Sequence, residues 1–233
     1  MEHGLAGFHV EHCSSDVEQV LAAGLGELGL PDEAAPRLAT LAKLLAQWAA
    51  RLNLTAHRTA EAIARRLILD AIALSQVLPG QPVASLADIG SGAGFPGLPI
   101  AIVWPSCSVT LVEARERRHH FHRTAIRALE LRNVVPIHGR AEIVPASMHR
   151  VVVAQAAADP AIALSWMRRW VEPGGWLVIP RSHHPEPFDP PNPVVHVQTA
   201  TYRVPGTGPE RTAWLGQLSQ PAGASDLPDT RPL

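Results

Sequence analysis

A chain of 233 residues, 46% of them hydrophobic, is long enough to bury one sizeable α/β domain and an accessory segment without disulfide or metal staples. Its formal charge of −1 neither requires nor excludes a nucleic-acid partner, so the placement of charge matters more than the sum. No apolar run approaches bilayer length, the start Met1-Glu2-His3-Gly4 has no basic-then-apolar leader, and Cys13 and Cys107 lack Cys/His metal spacing, so a soluble cytoplasmic protein with no membrane partner and no metal is expected.

Leucines and alanines recur at helical spacing from Val17 to Leu28, and Asp32 is placed to cap a second helix running to about Arg51. A third helix is expected from about Glu61 to Leu78, where Pro79-Gly80 stops it. Val83 opens the first strand, followed by a helix from about Pro96, a strand Ser108 to Glu113, a basic helix to about Leu131 and a strand Asn133 to Ile137. Arg150 to Ala154 reads as a fourth strand, Pro160 opens a helix to about Val171, and Pro173-Gly174-Gly175 turns into the strand Trp176 to Ile179. Alternating βα units of this length predict a parallel, doubly wound sheet. The proline- and histidine-rich segment Ser182 to Pro193 reads as a loop. Val194 to Arg203 and Arg211 to Leu218, either side of Pro205-Gly206-Thr207-Gly208-Pro209, read as an antiparallel hairpin finishing the sheet. The expected division is a helical extension or lid over 1–80, a core over 81–218 and a disordered tail over 219–233.

The junction after the first strand carries the chemistry. In Asp88-Ile89-Gly90-Ser91-Gly92-Ala93-Gly94-Phe95-Pro96-Gly97 an acid and four glycines follow a hydrophobic run, the pattern of a strand turning into a helix around a small molecule. Glu113 ends the next apolar run about 20 residues on, where an acid can accept ribose hydroxyls. Gly92-x-Gly94-x-x-Gly97 formally fits a dinucleotide fingerprint too, but a carboxylate at Asp88 would repel a pyrophosphate. S-adenosylmethionine carries no phosphate, and its ammonium group suits Asp88 directly or through water, so this methyl donor is the expected cofactor.

Charge gathers in the helix that follows Glu113. Between Arg115 and Arg132 lie six arginines against two acids, with His119, His120 and His122 interleaved. This is either a solvated helix face or an RNA-binding one, with Arg115, Arg117, Arg118 and Arg123 the candidate contacts and Arg181 expected to join them beside the pocket mouth.

Leu-Ala-Asp88-Ile-Gly90-Ser-Gly92-Ala-Gly94-Phe-Pro96-Gly97-Leu-Pro99, with its paired prolines, resembles the RsmG (GidB) family of bacterial methyltransferases. The likeness extends to Trp48-Ala-Ala-Arg51-Leu-Asn53-Leu-Thr55, Leu69-Asp70 and Gly139-Arg140-Ala141-Glu142, and spans most of residues 10 to 218. It implies a Rossmann-like class I S-adenosylmethionine-dependent fold, with a mostly parallel seven-stranded sheet, an antiparallel C-terminal hairpin and an N-terminal helical extension. It also implies methylation of guanosine N7 in 16S ribosomal RNA or the small ribosomal subunit; a monomer is expected. Carried over by residue, the resemblance implies that Gly90 and Phe95 line the donor pocket, Glu113 takes the ribose and Ala141-Glu142 border the adenine; Gly92 and Gly94 are expected at the donor from the glycine turn itself. Asn53, Thr55 and Asp70 would either anchor the lid or cap helices, with capping favoured for Asn53 and Thr55.

The chain also departs from that pattern. Gln155 stands where the family usually has an arginine, Arg181 where it has a lysine and Leu67 where it has a histidine. Gln155 is the candidate catalytic residue and a cofactor contact, offering an amide but no charge. Two rivals follow: a methyltransferase for a small molecule or protein, and a donor-binding module without turnover.

Overall fold

The computed structural model describes residues 12–155, 159–181, 194–206 and 210–219. The expectations for the loop at 182–193 and the tail from 220 lie outside the described residues. Helix α1 (His12–Glu27) leads to a short 3₁₀ turn (Asp32–Ala34) and helix α2 (Ala35–Ala49). Asp32 does not cap α2. It begins the 3₁₀ turn instead, and Pro36 occupies the first turn of the helix, where a missing N–H costs nothing. The expected third helix is split into α3 (Ala60–Ile63), a π-turn (Ala64–Ile68) and α4 (Leu69–Ser75). Its cap is Thr59, whose hydroxyl accepts from the Ala62 amide at 3.2 Å.

From there strand and helix alternate as expected: β1 (Ser85–Ile89), α5 (Gly97–Val103), β2 (Ser108–Glu113), α6 (Glu116–Ala128), β3 (Val134–His138), β4 (His149–Val153), α7 (Pro160–Met167) and β5 (Val171–Arg181), then β6 (Val194–Tyr202) and β7 (Arg211–Leu218). The sheet order is β3-β2-β1-β4-β5-β7-β6, parallel throughout except where β7 pairs antiparallel with both β5 and β6. The fold is therefore the Rossmann-like α/β class with an antiparallel C-terminal hairpin. One boundary differs: β5 begins at Val171, before the glycines expected to form a turn. Val171 pairs with His149 and Trp176 with Val151, so residues 172–175 bulge out of the ladder with Gly174 at φ 75°.

Along β1 the side chains alternate between two apolar clusters. Leu86 joins the cluster shared with helices α1, α2, α4, α5 and α6, while Ala87 and Ile89 join the one under α7. By the same alternation Asp88 faces the α5 side. The N-terminal helices and that face of the sheet share one continuous core.

A cleft at the strand ends

After β1 the chain moves outward to β2 and β3, then returns to add β4 on the other side, and this reversal opens a crevice beyond the strand C-termini. A cleft of about 1020 Å³ lies there. The ends of all four strands line it: Gly90 from β1, Glu113 from β2, Ala141 beyond β3 and Gln155 beyond β4. Phe95 and Glu142 also line it, as do Arg115 and Arg118 at the start of α6.

The glycine turn is held from two sides. The Gly92 amide donates to Glu113 Oε2 at 3.0 Å, and the Gly92 carbonyl lies 2.9 Å from His122 Nε2. Glu113 Oε1 in turn accepts from the Arg115 amide at 2.7 Å, and Arg118 lies 3.5 Å from Oε2. His122 is fully buried, and burial lowers its pKa to about 4, so the ring is neutral at pH 7. A carbonyl can only accept; Nε2 therefore carries the proton and donates. Gly90 and Gly92 stand at φ 67° and 58°, backbone that favours glycine, and a Cβ on Gly92 would meet nothing nearer than Arg118 Nη1 at 3.8 Å.

Asp88 and Gly94 lie elsewhere. Asp88 is fully buried and does not line the cleft; its Oδ2 accepts from the Gly97 amide at 2.9 Å, tying α5 to β1. Its other oxygen has no hydrogen-bond partner among the described residues, and burial pushes the carboxyl up to about 7, the Gly97 bond opposing and the Glu113 charge adding. A Cβ on Gly97 would come within 2.3 Å of Leu111 Cδ2, so this glycine serves close helix–strand packing. Gly94, also outside the cleft wall, has φ 87° and Leu98 Cδ1 within 2.4 Å of a would-be Cβ. The motif alone predicts ligand contacts at Asp88 and Gly94 because its spacing does not say which residues face the ligand.

Of the arginines, Arg117, Arg123 and Arg181 do not line the cleft. Arg181 ends β5 opposite Thr212. Leu54, Thr55 and Leu67 of the helical extension do line it, with Trp166 of α7 and His138 at the end of β3. Thr55 and Asn53 cap no helix. Thr55 Oγ1 accepts from the His57 amide at 3.2 Å and Asn53 Oδ1 from Arg58 at 2.9 Å. Ala141 is fixed from α7 and beyond, its carbonyl accepting from Arg169 at 2.9 Å and from the Trp170 indole at 3.1 Å. Nothing in the sequence pattern around Trp166 or His138 marks either for the cleft.

The model of the GidB family, rRNA small subunit methyltransferase G, matches residues 34–187, about two thirds of the chain. The chain belongs to this family. Three RsmG proteins illustrate the likeness, each named ribosomal RNA small subunit methyltransferase G. That of Chloroflexus aggregans is 39% identical over 143 residues, 59% of this chain and 60% of its own length. That of Myxococcus xanthus is 37% identical over 167 residues, 69% of this chain and 76% of its own. That of Chromohalobacter salexigens is 34% identical over 198 residues, 83% of this chain and 94% of its own. RsmG proteins are S-adenosylmethionine-dependent methyltransferases, so the donor inferred from the glycine turn and Glu113 is the cofactor of the family.

Proposed function

We propose that this chain transfers the methyl group of S-adenosylmethionine to N7 of a guanosine in 16S ribosomal RNA, as a cytoplasmic monomer acting on the RNA or the small ribosomal subunit. The observation that carries the reading is the glycine turn clamped between Glu113 and His122 at the point where the strand order reverses. The residues fit the donor. Glu113 Oε1 holds one backbone bond and keeps capacity for a ribose hydroxyl, Gly90 and Gly92 leave their backbone open to a ligand, and Ala141-Glu142 border the place for adenine. Asp88 acts from below by fixing the first turn of α5 rather than by touching the ligand.

When bound, the cofactor supplies an already activated methyl group on a sulfonium, so the protein's task is alignment and exclusion of water. Guanine N7 has a lone pair and no proton, and its attack needs no general base. Gln155 stands in the cleft wall beyond β4 with an amide that can bond a guanine edge. Arg115 and Arg118 supply positive charge in the cleft wall, and Arg117, Arg123 and Arg181, outside that wall, are the further candidate RNA contacts. Leu54, Thr55 and Leu67 form the part of the helical extension that acts as a lid.

Calorimetry with S-adenosylmethionine and with NAD tests the cofactor. Binding of the first alone is expected; binding of NAD alone would overturn the reading. Donor binding without methylation of any ribosomal RNA would leave the non-catalytic module in its place.

A further inference from the structure

Outside the donor cleft, two open cavities of about 420 and 470 Å³ share one wall residue, Trp48. Arg51 lies with it in the first, at the end of α2; His120, Arg123 and Arg127 of α6 and Pro136 of β3 lie with it in the second. His120, Arg123 and Arg127 fall on one helix face by their spacing of three and four. The indole is held edge-on against the buried Phe121, ring centroids 5.5 Å apart and planes at 66°, so its orientation is fixed before anything binds. Arg51, Arg123 and Arg127 are exposed, none forms an ion pair with a carboxylate among the described residues, and no acid lines either cavity. Most exposed arginines are merely solvated. Three unneutralised ones around a fixed aromatic make the pattern by which single-stranded nucleic acid is held, a base on the ring and phosphates on the guanidinium forks.

Neighbouring stretches of one segment line the groove and the cleft. Trp48, Arg51 and Leu52 face it, while Leu54 and Thr55, a few residues on, face the donor site. The bend between them is braced by Arg58, which donates to the Ala49 carbonyl and to Asn53 Oδ1. We propose that this groove takes a single-stranded stretch of the RNA substrate flanking the target nucleotide, with one base stacked on Trp48 and neighbouring phosphates on Arg51, Arg123 and Arg127. The assignment rests on the ribosomal RNA reading above and adds where the strand runs once it leaves the cleft.

The test is anisotropy titration of a fluorescein-labelled fragment of small-subunit ribosomal RNA over a series of salt concentrations. Replacing both Arg123 and Arg127 by alanine is expected to weaken binding and to reduce the slope of log affinity against log salt by about 0.7 for each phosphate no longer neutralised. Trp48→Leu is expected to weaken binding about tenfold and Trp48→Phe to restore most of it, a rescue that loss of packing alone would not give. Affinity for S-adenosylmethionine should stay unchanged in the double arginine variant, which keeps the test independent of how well the tryptophan variant folds. If the wild type binds the fragment and the double variant binds it with the same affinity and slope, the groove is overturned and the ribosomal RNA reading stands. If the wild type binds no RNA while an acidic peptide occupies the groove, both fall.

Discussion

His122 and Glu113 hold the two peptide groups that flank one residue, Gly92. The Gly92 N–H is taken by Glu113 and its carbonyl by His122, so a change at either side chain frees the turn that faces the donor. Glu113→Ala removes a ribose acceptor together with the Gly92 anchor, and should weaken S-adenosylmethionine binding by about 1.5–3 kcal/mol in calorimetry. His122→Leu leaves a carbonyl without its donor and should cost about tenfold in donor affinity, whereas His122→Gln, whose amide can donate, should recover most of it; equal affinity in both variants would argue against the clamp. The same histidine predicts a pH dependence. Its pKa falls from 6.5 to about 4 on folding, so the folded state takes up fewer protons in this window than the unfolded one. Its contribution is present above 6.5 and is lost as pH falls towards 4. Between pH 6.5 and 5 the wild type should lose about 1.5 kcal/mol more than His122→Gln in urea unfolding. His119 and His149, shifted down by burial too, are common to both proteins and cancel in the difference.

Among the elements, α4 is tied to the C-terminal hairpin by a buried carboxylate. Asp70 lies 3.3 Å from both the Tyr202 hydroxyl and Arg211 Nε, at the facing ends of β6 and β7. Burial raises the Asp70 pKa against the opposing pull of Arg211 and Tyr202, a sign that the carboxylate depends on these partners. Asp70→Ala should cost roughly 2–3 kcal/mol in urea unfolding, less than a fully buried pair because Arg211 keeps some contact with water. An unchanged midpoint would make the contact incidental. This bond, between residues far apart in sequence, is invisible to a pattern that describes only neighbours. The strands and helices are legible, because each apolar run is bounded by proline, glycine or charge; β2 matches its expected span to the residue. Boundaries shift where tertiary pairing overrides local signals, as at the bulge of residues 172–175, which carries turn residues inside β5. The site follows the same division. Gly90, Gly92 and Glu113 are legible from order and spacing and Gln155 only through the family resemblance, whereas the inward turn of Asp88 depends on which side of β1 it faces, and Trp166 arrives from a helix on the opposite layer.

At the scale of the molecule, a sheet whose strand order reverses beside β1 gathers four strand ends into one cleft, and α6 and the helical extension surround that cleft with arginines and apolar side chains. Among the described residues no helix is long and apolar enough to cross a membrane. Family membership gives methyl transfer to ribosomal RNA and the cleft has the lining expected of a donor site, while Gln155 stands where the resemblance implies an arginine. The most direct measurement is methylation of small ribosomal subunits that lack this modification, with labelled S-adenosylmethionine and mapping of the product. One methyl group is expected at N7 of a single guanosine in 16S ribosomal RNA, with turnover reduced by Glu113→Ala. Absence of label from the RNA, with the donor bound normally, would contradict it.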